Sequence, residues 1–532
     1  TVLMTMVAAA PVLAAPSGGT VVRGSASITH GPNTLVDQFS PRADLTWTSF
    51  NTSATEAVTV TQQFGGKSVL INRITGGDPT TFLGTLTAPG HVYVFNSNGI
   101  VFGVGSQVNV GAFMASTAEP HGLAGFVGNG YNGSGNALSL SGTSAASVEN
   151  HGTIVINGGQ GITLDIGEDD AGVGGFAILA AAHVINDGTI QANAGSSLGP
   201  ADGPEGAQWE PEYKDGHVEL VSTQDFTLNN DQRGDGLVNL SNTPEPRVGE
   251  GVVTNTGTPR SGSGSVYLRA NMVQASVMDA TVNMDGIVDA DALAGSSVGG
   301  TILVTSTTDI KFGDFDENGS GPDIHAIGGN EVSATFEAAD DIVSVNDTPV
   351  TIRLEATGTP FDQEGEIPDA GASLEMIAGA DLQNGPGLPD VSEQPVGGSI
   401  DITGTITVKA DIPELVASDD AVAQATASIV AHDDVTLNTD ITVSADVVNS
   451  IGGDNNDTAV ATARLDVQAG NQSLEVEMPS YDRGDLVLNG KVTVSADATL
   501  TGLGTTAEAE AVANLDAANS VTVTNTGTDD VA

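Results

Sequence analysis

The sequence from Asn72 to Thr117 reads NRITGGDPTTFLGTLTAPGHVYVFNSNGIVFGVGSQVNVGAFMAST. Apolar and polar residues alternate in its short runs, such as HVYVF, GIVF and QVNV, and this period of two is typical of strands with one buried side. Pro89-Gly90, Asn98-Gly99 and the glycines at 103 and 105 separate the runs, and these residue types favour turns. The segment therefore predicts several short strands joined by tight bends, with no helix.

Similar units recur along the rest of the chain. Looser copies of the pattern V-x-N-x-G-x-I begin at Val148, Val184 and Val282. Three longer segments align without gaps and place Ile406, Ile441 and Val492 at equivalent positions; they are GSIDITGTITVKAD (398–411), DDVTLNTDITVSAD (433–446) and GDLVLNGKVTVSAD (484–497). Each is predicted to form a strand, an Asn or Gly bend, a second strand and an Ala-Asp corner.

These repeats predict a β-solenoid, in which each short strand stacks on its counterpart one coil away at about 4.8 Å. With roughly 20–25 residues per coil, the chain is expected to make about 20 coils and a rod on the order of 100 Å long. An array of β-sandwiches is the alternative, but it requires regular hairpins rather than recurring V-x-N-x-G-x-I units.

Composition restricts the classes of partner. The chain has 67 acidic and 15 basic residues, a net charge of −52 and a mean hydropathy of +0.03. It is expected to repel nucleic acid and anionic lipid, and no apolar run after the N-terminus is long enough to span a membrane as a helix. Cysteine is absent, which excludes disulfides, thiol catalysis and cysteine-bound metals.

The motifs of the opening segment resemble the secretion domain of two-partner-secretion exoproteins, the filamentous haemagglutinin family. The resemblance is carried by motifs in the family's order: GGTVV from Gly18, ADLTWTSFN from Ala43, NRI from Asn72, LTAPGHV from Leu86, NSNGIVFG from Asn96, VNVG from Val108 and AST from Ala115. Ser97 departs from the family pattern, which usually has Pro at that position, although Ser is compatible with the same turn.

The resemblance implies a right-handed parallel β-helix (a pectin-lyase-like solenoid) and export through an outer-membrane partner pore that threads the chain outward unfolded. It implies an extracellular or cell-surface location in a Gram-negative bacterium, reached through the periplasm. The residues that it implies for the secretion motif are Asn72, Gly76, Asn96, Ser97, Asn98, Gly99, Ile100, Asn109 and Ser116. For Asn98-Gly99, a purely structural role in a tight turn is the alternative.

The chain divides into three predicted parts. Residues 1–15 are apolar and end in small residues, so they are interpreted as the remnant of a signal peptide. Residues 16–290 form the secretion domain, and residues 291–532 form a β-helix shaft that is expected to be truncated at its C-terminus. Pro-, Gly- and acid-rich stretches predict loops off the helix at 199–216, which contains Trp209, and at 242–251; the stretch 358–397 is expected to be a further excursion or a break in the rod.

One segment resembles the start of a calcium-binding loop. Asp314, Asp316 and Asn318 precede Gly319 in a D-x-D-x-N-G pattern. His325 stands where a bidentate Glu is required, so the segment is not an EF-hand. Calcium bound with Asp323 as a substitute ligand and a solvated acidic turn both remain open, and no other cofactor is predicted. The pairs at 169–170, 340–341 and 433–434 are expected to be solvated bends.

Three functions are compatible with this sequence. The first is a secreted adhesin that contacts host cells, neighbouring cells or matrix. The second is the delivery stick of a contact-dependent growth-inhibition toxin whose effector lies beyond residue 532. A polysaccharide lyase is a remote third, because such sites need carboxylates near a cation, whereas Lys and Arg are sparse beyond residue 290. The chain is therefore predicted not to be an enzyme.

Overall fold

The structure is a computed structural model. It describes residues 15–128, 137–157, 175–192, 195–196, 213–214, 216–223, 226–230, 238–242, 251–261, 264–270, 280–284, 287–291, 299–313, 321–358, 369–379, 397–415, 420–449, 458–470, 484–500 and 506–524. Strands dominate these residues.

The strands form three long faces, here called face A, face B and face C. Face A is a sheet of 14 strands: Thr20–Arg23, Arg42–Trp47, Val69–Ile74, His91–Phe95, Ala112–Ser116, Phe176–Ala181, His217–Ser222, Ser265–Ala270, Thr301–Ser306, Glu331–Ala338, Asp369–Ala378, Asp420–Ala431, Thr458–Ala469 and Thr506–Ala517. All of its pairs are parallel except the first.

Faces B and C belong to one sheet of 24 strands. Face B contains Thr80–Phe82, Ile100–Phe102, Ser147–Asn150, His183–Asn186, Gly251–Asn255, Ala280–Met284, Ile310–Phe312, Ile342–Ser344, Asp485–Leu488 and Ser520–Val523. Face C contains Ala26–Thr29, Asn33–Gln38, Ala57–Gln62, Thr85–Thr87, Gln107–Val110, Thr153–Ile156, Thr189–Ala192, Thr258–Ser261, Ile287–Asp289, Asp323–Ile327, Val350–Thr357 and Val492–Leu500. Two long strands, Ile400–Leu415 and Val435–Asn449, run through both faces.

One coil passes through the three faces in turn. His91–Phe95 lies on face A, Ile100–Phe102 on face B and Gln107–Val110 on face C, after which Ala112–Ser116 pairs in parallel with His91–Phe95. Parallel pairing of each strand with its counterpart one coil away defines a parallel β-helix, so the predicted all-β solenoid is confirmed. The β-sandwich alternative fails because antiparallel hairpins do not build these faces.

The period-two pattern explains the interior. In the opening segment Val92, Val94, Ile100, Phe102 and Val108 all point into the core and are at most 1% exposed. Large rings fill the first coils, where Trp47, Phe50, Phe82, Phe102 and Phe113 follow one another at centroid distances of 5.4 to 6.1 Å.

The N-terminal end of the helix is closed by antiparallel strands. Thr20–Arg23 pairs with face A and Ala26–Thr29 pairs with Asn33–Gln38 on face C. An antiparallel cap ends the parallel stack and covers its first edge, which otherwise invites pairing with another chain.

A ladder of asparagines occupies the end of face B in three successive coils. Asn150 donates from Nδ2 to Asn186 Oδ1, and Asn186 donates in turn to Asn255 Oδ1, both at 2.8 Å. All three side chains are fully buried. Asn150 and Asn186 belong to the repeat copies identified at Val148 and Val184, although no ladder was predicted. Asn255 belongs to an additional copy, VTNTGTP from Val253, which the sequence analysis missed because Pro259 replaces the final Ile.

The register of the three long repeats is confirmed. Ile406 pairs with Ile441, and Ile441 pairs with Val492. The predicted Ala-Asp corner is wrong, because Ala410-Asp411, Ala445-Asp446 and Ala496-Asp497 lie inside strands. Alternating small and polar residues continue the pleat there, so no turn is required.

The predicted number of coils and the predicted length of the rod were wrong for the described residues. Fourteen strands on face A, at about 4.8 Å each, span on the order of 60 Å rather than 100 Å. Coils exceed 20–25 residues because distal strands reach 16 residues and insertions separate many rungs. Of the two alternatives for the stretch 358–397, the break is contradicted, since Asp369–Ala378 is a regular rung of face A that pairs on both sides. The sequence of this strand, DAGASLEMIA, alternates buried and more exposed positions. The Pro- and acid-rich residues on both sides of it hid this pattern from the sequence analysis. The alternative of an excursion falls on 359–368 and 380–396, which lie outside the described residues.

A small additional layer lies outside the helix. It consists of the antiparallel strands Glu119–His121, Leu138–Ser141, Phe226–Asn230 and Val238–Asn242 and the helix Leu123–Gly128. A two-stranded pair, Gly195–Ser196 with Tyr213–Lys214, and the 3-10 turns Gly65–Lys67 and Val345–Asp347 complete the described elements.

Candidate functional site

The segment Asn96–Gly99 forms a closed turn between face A and face B. The Gly99 N–H donates to the Asn96 carbonyl oxygen at 3.0 Å, which makes a four-residue β-turn with Ser97 and Asn98 in the middle. Gly99 has a φ of 109°, a conformation that a residue with a Cβ rarely adopts. The turn therefore requires glycine at this position, as the sequence pattern predicted.

The side chain of Asn96 is buried and fastens the turn to the preceding coil. Its Nδ2 donates to the Asp78 carbonyl oxygen at 3.1 Å and to Thr80 Oγ1 at 2.9 Å. Its Oδ1 accepts from the backbone N–H of Asn98 at 3.0 Å and from Asn98 Nδ2 at 3.1 Å. An apolar substitute would leave these buried groups without partners, so the position is specific for asparagine.

Asn98 extends the same network to Gly76. Asn98 Nδ2 donates to the Gly76 carbonyl oxygen at 3.0 Å. A Cβ on Gly76 would meet the carbonyl oxygen of Thr48 at 2.1 Å, so only glycine lets these two backbones approach. The network thus joins the stretches Gly76–Thr80 and Asn96–Gly99. We call the set Gly76, Asn96, Ser97, Asn98 and Gly99 the asparagine turn.

Ser97 is the exposed tip of the asparagine turn. Its carbonyl oxygen accepts from Ser144 Oγ at 2.5 Å, which ties the tip to the next coil. Every other side chain of the turn is engaged inside the molecule. A protein that binds this surface would therefore contact the Ser97 side chain and the backbone of the turn, because the asparagine amides are hydrogen-bonded within the molecule.

Two of the other predicted site residues, Ile100 and Ser116, lie beside the turn, and a third, Asn72, lies apart from it. Ile100 is fully buried in the core. Ser116 is buried, accepts from the Ala118 N–H at 3.0 Å, and its carbonyl oxygen accepts from the Asn96 N–H at 3.1 Å. Asn72 lies inside face A, where its Oδ1 accepts from Trp47 Nε1 at 3.0 Å.

Asn109 does not join this group. It lies on the exposed side of face C, where its Oδ1 accepts from Asn157 Nδ2 at 2.6 Å. The structure therefore brings together Gly76, Asn96–Ile100 and Ser116, places Asn72 in the core of the cap, and separates Asn109 from both.

An ionic cluster next to the cap was missed at the sequence level. The Asp44 carboxylate is fully buried and binds Arg73 twice, at 2.8 and 2.9 Å, and Arg23 once, at 2.5 Å. Two guanidinium groups offset the desolvation of one carboxylate. The signal was present, because Arg73 lies in the NRI motif and Asp44 in the ADL motif, but no charge pairing between them was predicted.

The small external layer covers the outer side of face A. Apolar side chains from both sides form an outer cluster; it contains Val69, Ile71, Tyr93, Phe95, Ala112, Met114, Ala118, Leu123, Phe126, Leu138, Leu140, Phe176, Ile178, Ala180, Val221, Phe226 and Leu228. Arg42 fixes the helix of this layer, since it donates to the Phe126 carbonyl oxygen at 2.6 Å and stacks on the Phe126 ring.

Two titratable groups sit beside this cluster. Burial of its ring and the nearby charge of Arg42 lower the pKa of His91 to about 4, although one edge of the residue still reaches the surface. Burial raises the pKa of Tyr93, and the charge of Arg42 opposes this effect only in part. His91 is therefore neutral at physiological pH.

Several sequence predictions lie outside the described residues. They are the signal-peptide remnant apart from Ala15, the loop at 199–216 apart from residues 213, 214 and 216, most of the loop at 242–251, the pair at 169–170, and the calcium candidates Asp314, Asp316 and Asn318. Asp323 is described and begins a strand of face C. Asp340-Asp341 and Asp433-Asp434 lie at bends, as predicted. In the described part of the chain, no helix has the length and apolarity needed to cross a membrane.

Comparison with known proteins places this geometry in a family. The family model of the TPS (two-partner-secretion) secretion domain matches residues 13–286. The heme/hemopexin-binding protein of Haemophilus influenzae is 33% identical over 178 residues, which is 33% of this chain and 18% of that protein. A second heme/hemopexin-binding protein of Haemophilus influenzae is 33% identical over 84 residues, 16% of this chain and 9% of that protein.

One solved structure supports the fold. The HMW1 secretion domain from Haemophilus influenzae aligns with a TM-score of 0.51 at 17% identity, covering 93% of this chain and all of that one. A filamentous hemagglutinin secretion domain also aligns, with a TM-score of 0.30 at 13% identity, covering 74% of this chain and 99% of that one.

The chain belongs to the family of two-partner-secretion exoproteins. The match to the secretion domain supports a secreted exoprotein, consistent with an extracellular or surface location in a Gram-negative bacterium. The chain spans less than a fifth of the length of the curated relatives that it matches.

Proposed function

We propose that this exoprotein is an adhesin. Residues 16–290 serve as the secretion domain, and residues 291–532 serve as a shaft that presents loops to host cells, neighbouring cells or matrix. The observation that carries the export part of this proposal is the asparagine turn, whose buried amides hold one exposed tip in a single conformation. We propose that this tip is part of what the outer-membrane partner recognises.

Two properties of the chain favour transport in the unfolded state. Cysteine is absent, so no disulfide can form in the oxidising periplasm and block threading. Each coil also pairs mainly with its neighbours, so the emerging chain can add rungs one after another onto the capped N-terminal end.

Export from cells that carry the partner pore tests the role of the turn. We expect Asn96→Ala and Asn98→Ala to reduce the protein in the medium strongly, while Ser97→Pro retains export because Pro suits the second position of the turn. Asn150→Ala is the matched control, since it also removes a buried, hydrogen-bonded asparagine at a bend.

The outcome separates recognition from folding. Equal loss of export in Asn96→Ala and Asn150→Ala would assign the asparagines to β-helix stability alone. Undiminished export after deletion of Asn72–Thr117 would overturn the proposed role of the whole segment.

The adhesin role is tested separately. We expect the secreted chain to bind cell or matrix surfaces, and binding that survives removal of residues 291–532 would contradict the proposed shaft. Sequencing of the gene downstream of the codon for residue 532 tests the alternative of a toxin delivery stick, because a non-repetitive nuclease-like tail there would favour a toxin.

We also propose that the chain is not an enzyme and uses no catalytic cofactor; calcium bound by Asp314, Asp316, Asn318 and Asp323 is the alternative for that segment. Unsaturated products from uronate polymers incubated with the chain and calcium would contradict the first statement. Because the matched relatives are described as heme/hemopexin-binding proteins, haem and hemopexin belong among the ligands tested.

A further inference from the structure

A histidine and two aspartates meet on the outer side of face C, beyond the residues that match the family model. Asp289 ends the strand Ile287–Asp289, and Asp291 follows two residues later. His325 lies in the next strand, Asp323–Ile327, where it pairs directly with Asp289. The three side chains therefore belong to two successive coils.

The potential ligand atoms converge. His325 Nδ1 lies 2.9 Å from Asp291 Oδ1 and 4.0 Å from Asp289 Oδ1. One ligand atom from each of the three residues lies within 4.8 Å of the others. Ligands bound to one cation at about 2.0–2.2 Å are separated by up to about 4.4 Å, so small side-chain adjustments bring all three into one coordination shell.

The carboxylates are held in place by a guanidinium group and by backbone N–H groups. Arg260 Nε binds the other oxygen of Asp289, Oδ2, at 2.5 Å, and Asp289 is almost fully buried. The backbone N–H of Asp291 donates to Asp289 Oδ1 at 3.0 Å, and that of Ile327 donates to Asp291 Oδ1 at 2.9 Å. Such outer contacts orient metal ligands in proteins.

A second observation concerns Asp323 on the same strand. Its Oδ1 is shielded from solvent and accepts no hydrogen bond from the part of the chain that the structure describes. Its charge acts on His325, as do the charges of Asp289 and Asp291. The charges of three carboxylates therefore act on one imidazole, which favours a cation there.

We propose that His325, Asp289 and Asp291 bind a divalent transition-metal cation of the Zn²⁺ class, which ties two successive coils of the shaft together. An imidazole nitrogen with carboxylate oxygens suits Zn²⁺ and its neighbours, whereas Ca²⁺ and Mg²⁺ take oxygen ligands. The group Asp309, Asp340 and Asp341 has oxygens alone, and Lys311 Nζ lies 2.8 Å from Asp309, so it carries no such assignment.

Calorimetric titration of the purified chain with ZnCl₂, in millimolar Ca²⁺ to saturate diffuse carboxylate binding, tests this proposal. We expect one tight site and a higher melting temperature with Zn²⁺, because the cation binds the folded state. His325→Gln and Asp291→Asn should each weaken this site at least tenfold.

His151→Gln is the matched control. His151 also contacts two carboxylates, but Asp187 bonds Nδ1 at 2.6 Å and Glu149 bonds Nε2 at 3.0 Å, on opposite sides of the ring, where they cannot share one ion. We expect this variant to bind Zn²⁺ like the parent. The absence of a tight site, its survival in both His325→Gln and Asp291→Asn, or its loss in His151→Gln would overturn the proposal; circular dichroism confirms that each variant folds.

Discussion

The first coils and the last described coils use the same architecture with opposite packing strategies. Between Arg42 and Ser116 the strands have three to six residues and enclose a row of aromatic rings, with a buried ion-pair cluster outside. Between Ile400 and Ala517 most strands have nine to sixteen residues, and face A is lined almost entirely by alanine.

The two regions therefore fix the position of a strand in the stack in two different ways. The N-terminal coils depend on individual contacts, such as Trp47 with Asn72, that only one residue type can make. The distal coils depend on repetition, because equivalent small residues stack in columns such as Ala372, Ala425, Ala463 and Ala511. Loss of one side chain should therefore harm the first region most, whereas added volume should harm the second.

The largest effect is expected for Trp47→Ala. It empties a fully buried indole site and leaves Asn72 Oδ1 without its donor, which costs about 3–5 kcal/mol. Hydrogen exchange followed by mass spectrometry should show lost protection from Thr20 to Ile74 but unchanged protection in Ile400–Ala445. Trp47→Phe, which keeps a ring, should lose less; uniform loss along the rod would contradict the comparison.

Acid should weaken the N-terminal coils specifically, through His91. Its pKa in the folded state, about 4, lies below the unfolded value of 6.5. Between pH 6.5 and 4 the unfolded chain binds a proton at His91 that the folded chain does not bind. The stability that the neutral, buried His91 contributes is therefore fully present above pH 6.5 and is lost as the pH falls towards 4. At about 1.4 kcal/mol per pH unit the loss is at most about 3 kcal/mol. His91→Phe should flatten the stability profile of this region between pH 7 and 4.5, and an unchanged profile would exclude His91 as the cause.

The converse test adds volume to the distal alanine column. Ala425→Leu places three extra carbons where Ala372 and Ala463 lie above and below, and overpacking should cost about 1–3 kcal/mol. Thermal unfolding measures the effect. Gln424→Leu controls for the introduction of leucine without added volume, because the neighbouring Gln424 side chain is exposed and similar in size, and this change should alter stability by less than about 0.5 kcal/mol.

The smallest effect concerns the acidic column Asp411, Asp446 and Asp497. Partial burial and then the charges of Asp411 and Asp497 raise the pKa of Asp446, against the opposing effect of Lys409. Like charges at about 4.8 Å repel by about 1 kcal/mol in water. Asp446→Asn should therefore raise the melting temperature at low salt, and the gain should vanish by about 0.5 M NaCl.

Asp485→Asn controls for the loss of negative charge alone. The Asp485 carboxylate accepts hydrogen bonds from Asn519 and Ser520, which lower its pKa. This variant should give no stabilisation at low salt. A gain equal to that of Asp446→Asn would mean that net charge, rather than the column, sets the salt dependence.

Much of this architecture could be predicted from local pattern. The aligned isoleucines at 406 and 441 and Val492 gave the strand register directly, because a slip of one residue would turn every inward side chain outward. The asparagine turn could also be predicted, since Asn-Gly has a strong local preference. The Ala-Asp corners and the number of coils were wrong, because small residues fit both a turn and a long strand whose neighbours continue its pleat.

The sequence by itself determined the class of fold, the register of the repeats and the chemistry of the Asn96–Gly99 turn, because these follow from periodicity and backbone preference within a few residues. Only the tertiary structure decided which distant groups meet. Asp44 with Arg73, Asn150 with Asn186, and Asp289 with His325 come from different coils. Their separation in sequence depends on insertions of irregular length, which carry no periodic signal, whereas their contact depends on the stacking of one coil on the next.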